Sequence, residues 1–349
     1  MAVAPVKRGA PGRGWVHFAL AAVLLLTVSQ AVAIGPASLT LSEVWSSAAD
    51  GVGLRSWGST ALQAHIVWEL RLPRVFTAGI VGAGLSLVGA VMQSLTRNPM
   101  ADPYLFGVSS GATLGAVLVL VAGVGSGTLA LTAGAFIGAM AVFALVVLFS
   151  TRRGALAPGR MILAGIALSQ FCGSITSFVI VWVGDPQRTQ SVTYWLSGSM
   201  ARARWDSLAA VAVVFFVVAA VFLSHSRSLN AFAFGEQTAV ALGVSVNRTR
   251  WVLMALGALL TASLVSVSGA IGFVGLILPH AVRFLTGPDE RRLLPAAAMA
   301  GAVFMIWVDT LARTVFEPRE IPVGILTAAV GVPVFIVLML RRFREGDTV

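Results

Sequence analysis

The residues best suited to chemistry crowd into one segment, RLPRVFTAGIVGAGLSLVGAVMQSLTRNPMADPYLFGVSSGATLG, from Arg71 to Gly115. Long apolar runs there are interrupted by Arg71, Arg74, Gln93, Asn98, Pro99 and Asp102. A lipid-facing anchor has no use for these groups, because hydrocarbon cannot satisfy them. Helices that line a path, and that touch another protein at each end, would need them.

Catalytic chemistry is harder to find. His17, His65, His225 and His280 are scattered, with no close pair at metal-ligand spacing, so no bound catalytic metal is expected. Cys172 is alone, which excludes a disulfide framework. The only lysine, Lys7, lies near the N-terminus. A phosphate-binding loop of the form Gly-x-x-x-x-Gly-Lys-Ser/Thr needs a lysine that reaches the terminal phosphates, so this chain cannot hold one. If ATP drives a process here, a different chain hydrolyses it. Proton coupling would need ionisable groups within the membrane. Asp309, in MIWVDTLAR, is the one acid well inside an apolar run, and Arg313 follows at i+4 on the same helix face. A structural pair is expected there rather than a proton relay.

The elements that position these residues follow from composition. The 349 residues are 57% hydrophobic and 11% charged, with a mean hydropathy of +0.90. A soluble domain carries about 25% charge. Apolar runs of about 18 residues or more read as membrane spans. They occur at Trp15–Ile34, Val75–Leu95, Leu105–Val124, Leu129–Phe149, Met161–Val183, Leu208–Leu223, Trp251–Val267, Ala270–Leu285, Leu293–Val315 and Val323–Leu340. The expected fold class is therefore an all-α polytopic membrane protein of about ten transmembrane helices. One membrane domain spans 15–342, between an N-terminal tail, 1–14, and a C-terminal tail, 343–349. The N-terminal run of about 20 residues is longer than the core of a signal peptide and reads as an uncleaved first helix.

With the N-terminus placed inside, two thirds of the 24 Lys and Arg fall on the cytoplasmic side, including Arg97, Arg152, Arg153, Arg160, Arg227, Arg248 and Arg250. The outside holds Arg71, Arg74, Arg313, Arg319 and four others. The bias supports ten spans with both termini cytoplasmic. The net charge of +10 then faces anionic headgroups and cytoplasmic partners. A soluble basic surface for nucleic acid is lacking.

Small residues indicate the packing. Gly107, Gly111 and Gly115 share one helix face, as do Gly134 and Gly138 in the next span; such faces let helices approach closely in a membrane. The stretch Gly82–Pro99 loosely echoes Gly257–Pro279, which points to an inverted repeat. The largest cytoplasmic loop, 224–250, contains Gly235-Glu236-Gln237-Thr238-Ala239-Val240-Ala241-Leu242-Gly243. This reads as a short helix closed by glycine, with Ala239 and Leu242 as a small apolar face. It fits either a groove on a soluble partner or the membrane surface.

Three blocks carry a resemblance to a known family. RLPR followed by GAGLSLVGAVMQSLTRNPMADPYLFGVSSGA, then SGAIGFVGLILPHAVRFLTGPDERRLLP at Ser268–Pro295, then DTLARTVFEPREIPVGILTAAVGVPVFIVLMLRR at Asp309–Arg342, are similar to the permease subunits of ABC importers for iron–siderophores, haem and cobalamin. The resemblance covers about Arg71 to Arg342. It implies ten helices per subunit and a dimer with a second permease copy or paralogue, in a bacterial cytoplasmic membrane. It also implies two ATPase subunits, which bind ATP and Mg, and an extracytoplasmic substrate-binding protein. No cofactor is implied for this chain, which is not itself an enzyme. Gly235, Glu236, Ala239, Leu242 and Gly243 match the segment that couples to the ATPase. Arg71, Arg74 and Arg313 match the outer arginines that dock acids of the binding protein, a task suited to the bidentate guanidinium fork. Gln93, Ser94, Asn98, Ser109 and Ser110 are expected to offer polar lining or gating along the path. Iron–siderophore import is the commonest role in that family, with haem and cobalamin as alternatives. Outside the family the competing readings are a proton-coupled secondary transporter and a non-transporting scaffold.

Overall fold

Within hydrocarbon a chain must satisfy its own backbone, and a helix does so residue by residue. The computed structural model describes residues 14–35, 39–51, 60–123, 128–152, 155–156, 158–183 and 185–346. Helix α1 (Gly14–Ala33) is followed by α2 (Leu41–Gly51) and α3 (Ala61–His65). A π-helical segment (Ile66–Arg71) then joins α3 to α4 (Leu72–Thr96) without a break. A 3-10 turn (Pro103–Phe106) leads to α5 (Val108–Ala122) and α6 (Thr128–Ser150). Two-residue strands β1 (Thr151–Arg152) and β2 (Ala155–Leu156) pair antiparallel ahead of α7 (Pro158–Val183) and α8 (Pro186–Leu196). The chain continues through α9 (Trp205–Ser224), α10 (Ser226–Ala233), α11 (Glu236–Ala241), α12 (Val246–Ser268), α13 (Val274–Thr286), α14 (Glu290–Thr314) and α15 (Val323–Gly346).

Among the described residues, seven helices are long and apolar enough to cross a membrane, and α5, α13 and Val323–Val337 are shorter apolar helices. Together they match the ten expected spans in order. Residues 1–13 and 347–349 lie outside the described residues, and with them most of the expected N-terminal tail, including Lys7, and the last three residues of the C-terminal one.

Three features depart from expectation. The second span runs on from Ala61, as 36 helical residues to Thr96. Arg71 and Arg74 therefore sit inside a helix, not at its tip. Second, α13 starts at Val274, because the Gly269–Phe273 stretch is not helical. Gly269 has φ +70, and a Cβ there would lie 2.2 Å from the Trp195 carbonyl oxygen, so only glycine fits. The echo between Gly82–Pro99 and Gly257–Pro279 accordingly joins a helix that continues to Thr96 to one that breaks. Third, loop 224–250 holds two helices, α10 and α11, and α12 begins within it at Val246.

Helix α4 is the hub. It is buried along most of its length, among α14, α13, α12 and α9. Glycines permit this. A Cβ on Gly82 would lie 2.1 Å from the Gly301 carbonyl oxygen, and one on Gly89 would lie 1.9 Å from that of Gly275. The two glycine faces read from sequence meet each other, Gly111 against Gly138 and Gly115 against Gly134. Gly107 instead caps the N-terminus of α5 with φ +74.

This seam is testable. Gly82→Ala or Gly301→Ala should destabilise the detergent-solubilised protein by about 1–3 kcal/mol, as overpacking does. Gly173→Ala, where a Cβ meets nothing within 4 Å, should leave the thermal unfolding curve unchanged.

Candidate functional site

Polar groups gather at the two ends of the α4–α14 pair. At the outer end, as the charge bias orients the chain, α4 presents Arg74 and the last turns of α14 present Asp309 and Arg313. Arg74 Nε lies 2.9 Å from Asp309 Oδ2 and 3.1 Å from Oδ1, and its Nη2 lies 3.0 Å from Oδ1. Its Nη1 donates to Glu320 Oε1 at 2.9 Å. Arg313 Nε is 3.8 Å from Asp309 Oδ2, and Arg313 Nη2 donates to the Ala31 carbonyl. Arg71 Nη1 donates to the carbonyls of Val32 and Ala33 at 2.8 and 2.9 Å. The end of α1 thus supplies acceptors for two guanidinium groups, and Gly35 makes room for them. A Cβ on Gly35 would fall 2.9 Å from Arg71 Nη2 and 3.2 Å from Arg313 Nη1.

The three arginines expected from sequence are therefore brought together, around an acid that sequence reasoning had paired with Arg313 alone. Asp309 is only 1% exposed, and its tight partner is Arg74, from another helix. Arg71 and Arg313 are buried and hydrogen-bonded within the chain. Arg74 differs: one edge of its fork holds Asp309, while Nη1 meets a Glu320 side chain that is 35% exposed. Glu320 was not singled out in the sequence, although two glutamates around one arginine in the short segment EPREIP are a usable signal.

At the inner end the expected path residues make specific contacts. Gln93 is buried, and its Nε2 donates to the Gly275 and Leu276 carbonyls at 3.3 and 3.0 Å. Ser94 Oγ is 2.6 Å from Glu290 Oε1 on α14. Asn98 Oδ1 accepts the Met100 N–H at 3.0 Å, and Asp102 Oδ1 accepts that of Tyr104 at 2.8 Å. These last two side chains shape the turn between α4 and α5. Ser109 and Ser110 stand half-buried in the first turn of α5. Gln93 and Ser94 thus bind α4 to α13 and α14.

Residues 235–243 form the short helix that their glycines indicate, with Gly235 at φ +101 before it and Gly243 at φ +82 after it. Glu236 Oε1 pairs with Arg250 Nη2 at 2.6 Å, and that guanidinium also lies 5.8 Å from the Phe232 ring centroid, within cation–π reach. Asn230 of α10 donates to Asp289 at 2.8 Å and accepts the Glu290 N–H at 2.9 Å, which ties the loop to the start of α14. The amide of Asn230, with the Arg291 N–H, holds the Asp289 carboxyl below the usual carboxylate range. One expectation fails: Ala239 and Leu242 do not share a face. Ala239 is fully buried, whereas Leu242, past the helix end at Ala241, is 65% exposed beside exposed Val240 and Phe234.

Comparison with known proteins gives a consistent result. The FecCD transport family matches residues 21–341. The cobalamin import system permease protein of Halobacterium salinarum is 44% identical over 79% of this chain and 74% of its own length. The hemin transport system permease protein of Yersinia pestis is 37% identical over 93% of this chain and 95% of its own. A solved structure described as an inward-facing conformation of a metal-chelate type ABC transporter superposes with a TM-score of 0.83 at 34% identity, covering 94% of this chain and 99% of that one.

Two predictions follow from the geometry. Asp309→Ala leaves Arg74 and Arg313 without their buried counterion and should cost about 3–5 kcal/mol in thermal unfolding, whereas Glu320→Gln, at a half-exposed pair, should cost about 0–1 kcal/mol. In the inner turn, burial pushes the Asp102 carboxyl up to about 6. Its ionised form is therefore disfavoured in the fold, and stability falls as pH rises from the ordinary carboxylate value through about 6. Asp102→Asn should be more stable than the parent at pH ~7.5, with the advantage fading as pH drops below about 6.

Proposed function

We propose, from the premise that the chain belongs to the FecCD transport family and is one of its multi-pass ABC importer permeases, that it carries a ferric siderophore across the cytoplasmic membrane. Two copies form the path, two separate ATPase chains supply the energy, and an extracytoplasmic binding protein delivers the cargo. The hemin permease relative and the metal-chelate type structure support an iron chelate. Haem or cobalamin, taken by the same machinery, is the second reading, supported by the names of the two relatives.

The observation that carries the transport reading is the placement of two unlike surfaces at opposite ends of one packed helix pair. The outer surface is a cluster of three arginines with Asp309 and Glu320. The inner surface is α11 with its flanks: Val240 on the helix, and Phe234 and Leu242 on either side of it, are exposed while Glu236 and Ala239 anchor it. An apolar projection on a rigid base suits insertion into a groove of a soluble partner. ATP-driven closure of the ATPase pair moves this projection. The loop ties of Asn230 pass the movement to α14, and the seam passes it to α4. The two copies then rock against one another, and the chelate passes between them, in the manner of rigid-body switching.

Residue roles follow from the contacts. Arg74 is the guanidinium placed to meet an acid of the binding protein. Arg71 and Arg313 tie the same end of the bundle to the carbonyls at the end of α1. Gln93 and Ser94 hold the helices that flank the path, Asn98 shapes the inner turn, and Ser109 and Ser110 offer polar lining at the start of α5. Asp309, clamped by Arg74, serves as a structural counterion and leaves energy supply to ATP.

The reading is tested in proteoliposomes holding the permease–ATPase complex, with the loaded binding protein outside. Uptake of a ferric siderophore should require ATP inside, stop with vanadate and survive a protonophore. Uptake that a protonophore abolishes contradicts ATP coupling, and a binding protein that retains only haem or cobalamin shifts the cargo to the second reading. Val240→Asp with Leu242→Asp should lower cargo-stimulated ATP hydrolysis by about tenfold or more, the scale of a lost apolar anchor, with the fold intact.

A further inference from the structure

Arg74 divides its guanidinium between two carboxylates in unlike settings. The Nε and Nη2 side grips Asp309, which is 1% exposed and fixed within α14. Nη1 makes a single contact, 2.9 Å, with Glu320 Oε1, and Glu320 is 35% exposed. Glu320 belongs to the segment between α14 and α15. That segment is folded back by the Arg319 N–H on the Phe316 carbonyl and the Ile321 N–H on the Ala312 carbonyl, at 2.9 and 3.0 Å. A glutamate is thereby held over the outward end of the arginine that faces the binding protein.

We propose that Glu320 is a tethered competitor for the partner's carboxylate. It occupies the outer end of Arg74 in the resting transporter and yields that end when the binding protein docks. The proposal rests on the docking reading given above. Guanidinium chemistry supports the exchange. Five N–H donors radiate from the fork, and Asp309 takes the Nε edge together with one Nη2 donor. The second Nη2 donor and Nη1 point the same way, so an incoming carboxylate can chelate both. Glu320 uses Nη1 alone and remains partly hydrated, so its hold is weak. Asp309 is untouched by the exchange and keeps Arg74 aimed outward throughout.

Two consequences follow. While no partner is bound, Glu320 neutralises the outer end of Arg74 and screens it from stray anions. When a partner binds, Glu320 is released from the start of the segment that leads into α15. The first residues of α15 are pinned by Val323 N–H to the Gly198 carbonyl and Gly324 N–H to the Ser197 carbonyl, each at 2.9 Å. Docking is thus felt within a few residues of the contact between α15 and the Ser197–Gly198 turn that follows α8.

The test measures affinity of the loaded binding protein for the permease–ATPase complex in nanodiscs. Four forms are compared: parent, Glu320→Gln, the pair Arg74→Gln/Asp309→Asn, and the triple variant. The pair removes the Arg74 and Asp309 charges together and leaves only Arg313 without its 3.8 Å counterion, and thermal unfolding checks that each form is folded. Glu320→Gln should bind about two- to fivefold tighter, the range set by a half-exposed ion pair. That gain should vanish in the Arg74→Gln/Asp309→Asn background, as expected for directly coupled sites. If Glu320→Gln binds equally or more weakly while the pair variant loses affinity, docking stands and the competitor role is overturned. A gain that persists without Arg74 overturns it too, because the effect is then long-range charge. If the pair variant binds like the parent, the docking reading itself fails.

Discussion

The structure depends on one constraint: α4 must run through the middle of the protein with almost no side-chain volume facing α14. Gly82 and Gly301 bring the two backbones together until each would-be Cβ strikes the other's carbonyl oxygen. In a bilayer there is no water to drive helices together, so close backbone contact supplies the attraction instead. The seam is then fastened at both ends by polar contacts, Arg74 with Asp309 at one and Ser94 with Glu290 at the other. The buried Asp309 carboxylate is tolerable there because Arg74 meets it across the same seam.

From that seam the two working surfaces inherit their rigidity. The arginine cluster is held by α1 carbonyls and Asp309, so its geometry is set before any partner arrives. Loop 224–250 is held by Asn230 against Asp289 and Glu290, and by Arg250 against Glu236 and Phe232. The exposed part is small in each case: the end of the Arg74 guanidinium that meets half-exposed Glu320, and the three apolar side chains Phe234, Val240 and Leu242. Preorganised contacts of this kind lower the ordering cost of association.

Much of this was legible from the sequence. Hydropathy placed ten spans, because a membrane helix is recorded in consecutive residues. The glycine faces of α5 and α6 and the glycines bracketing α11 were legible for the same reason, since their spacing is local. Long-range polar pairing was not. Periodicity links Asp309 to Arg313 four residues on, whereas its tight partner, Arg74, is 235 positions away. Gln93 and Ser94 read as path lining because their acceptors on α13 and α14 are remote in sequence, although Ser94 Oγ also lies 3.0 Å from the Ala90 carbonyl of its own helix. Helix α10 is short and amphipathic inside a polar loop, and the helical start of the second span at Ala61 is too polar to register by hydropathy. The functional divergence of Ala239 and Leu242 arises because the helix ends between them.

The central claim is that α4 and α14 carry motion between the two surfaces as one rigid body. A Cβ built on Gly79 would lie 4.0 Å from the Ala302 Cβ, a separation that a disulfide can bridge. The decisive measurement is ATP-driven uptake by the Gly79→Cys/Ala302→Cys variant, oxidised and then reduced, in a Cys172→Ser background. The account predicts equal uptake in both states, since a bond across a rigid seam restrains nothing that must move. Uptake lost on oxidation and regained on reduction would show that the two helices slide during transport, and would contradict it.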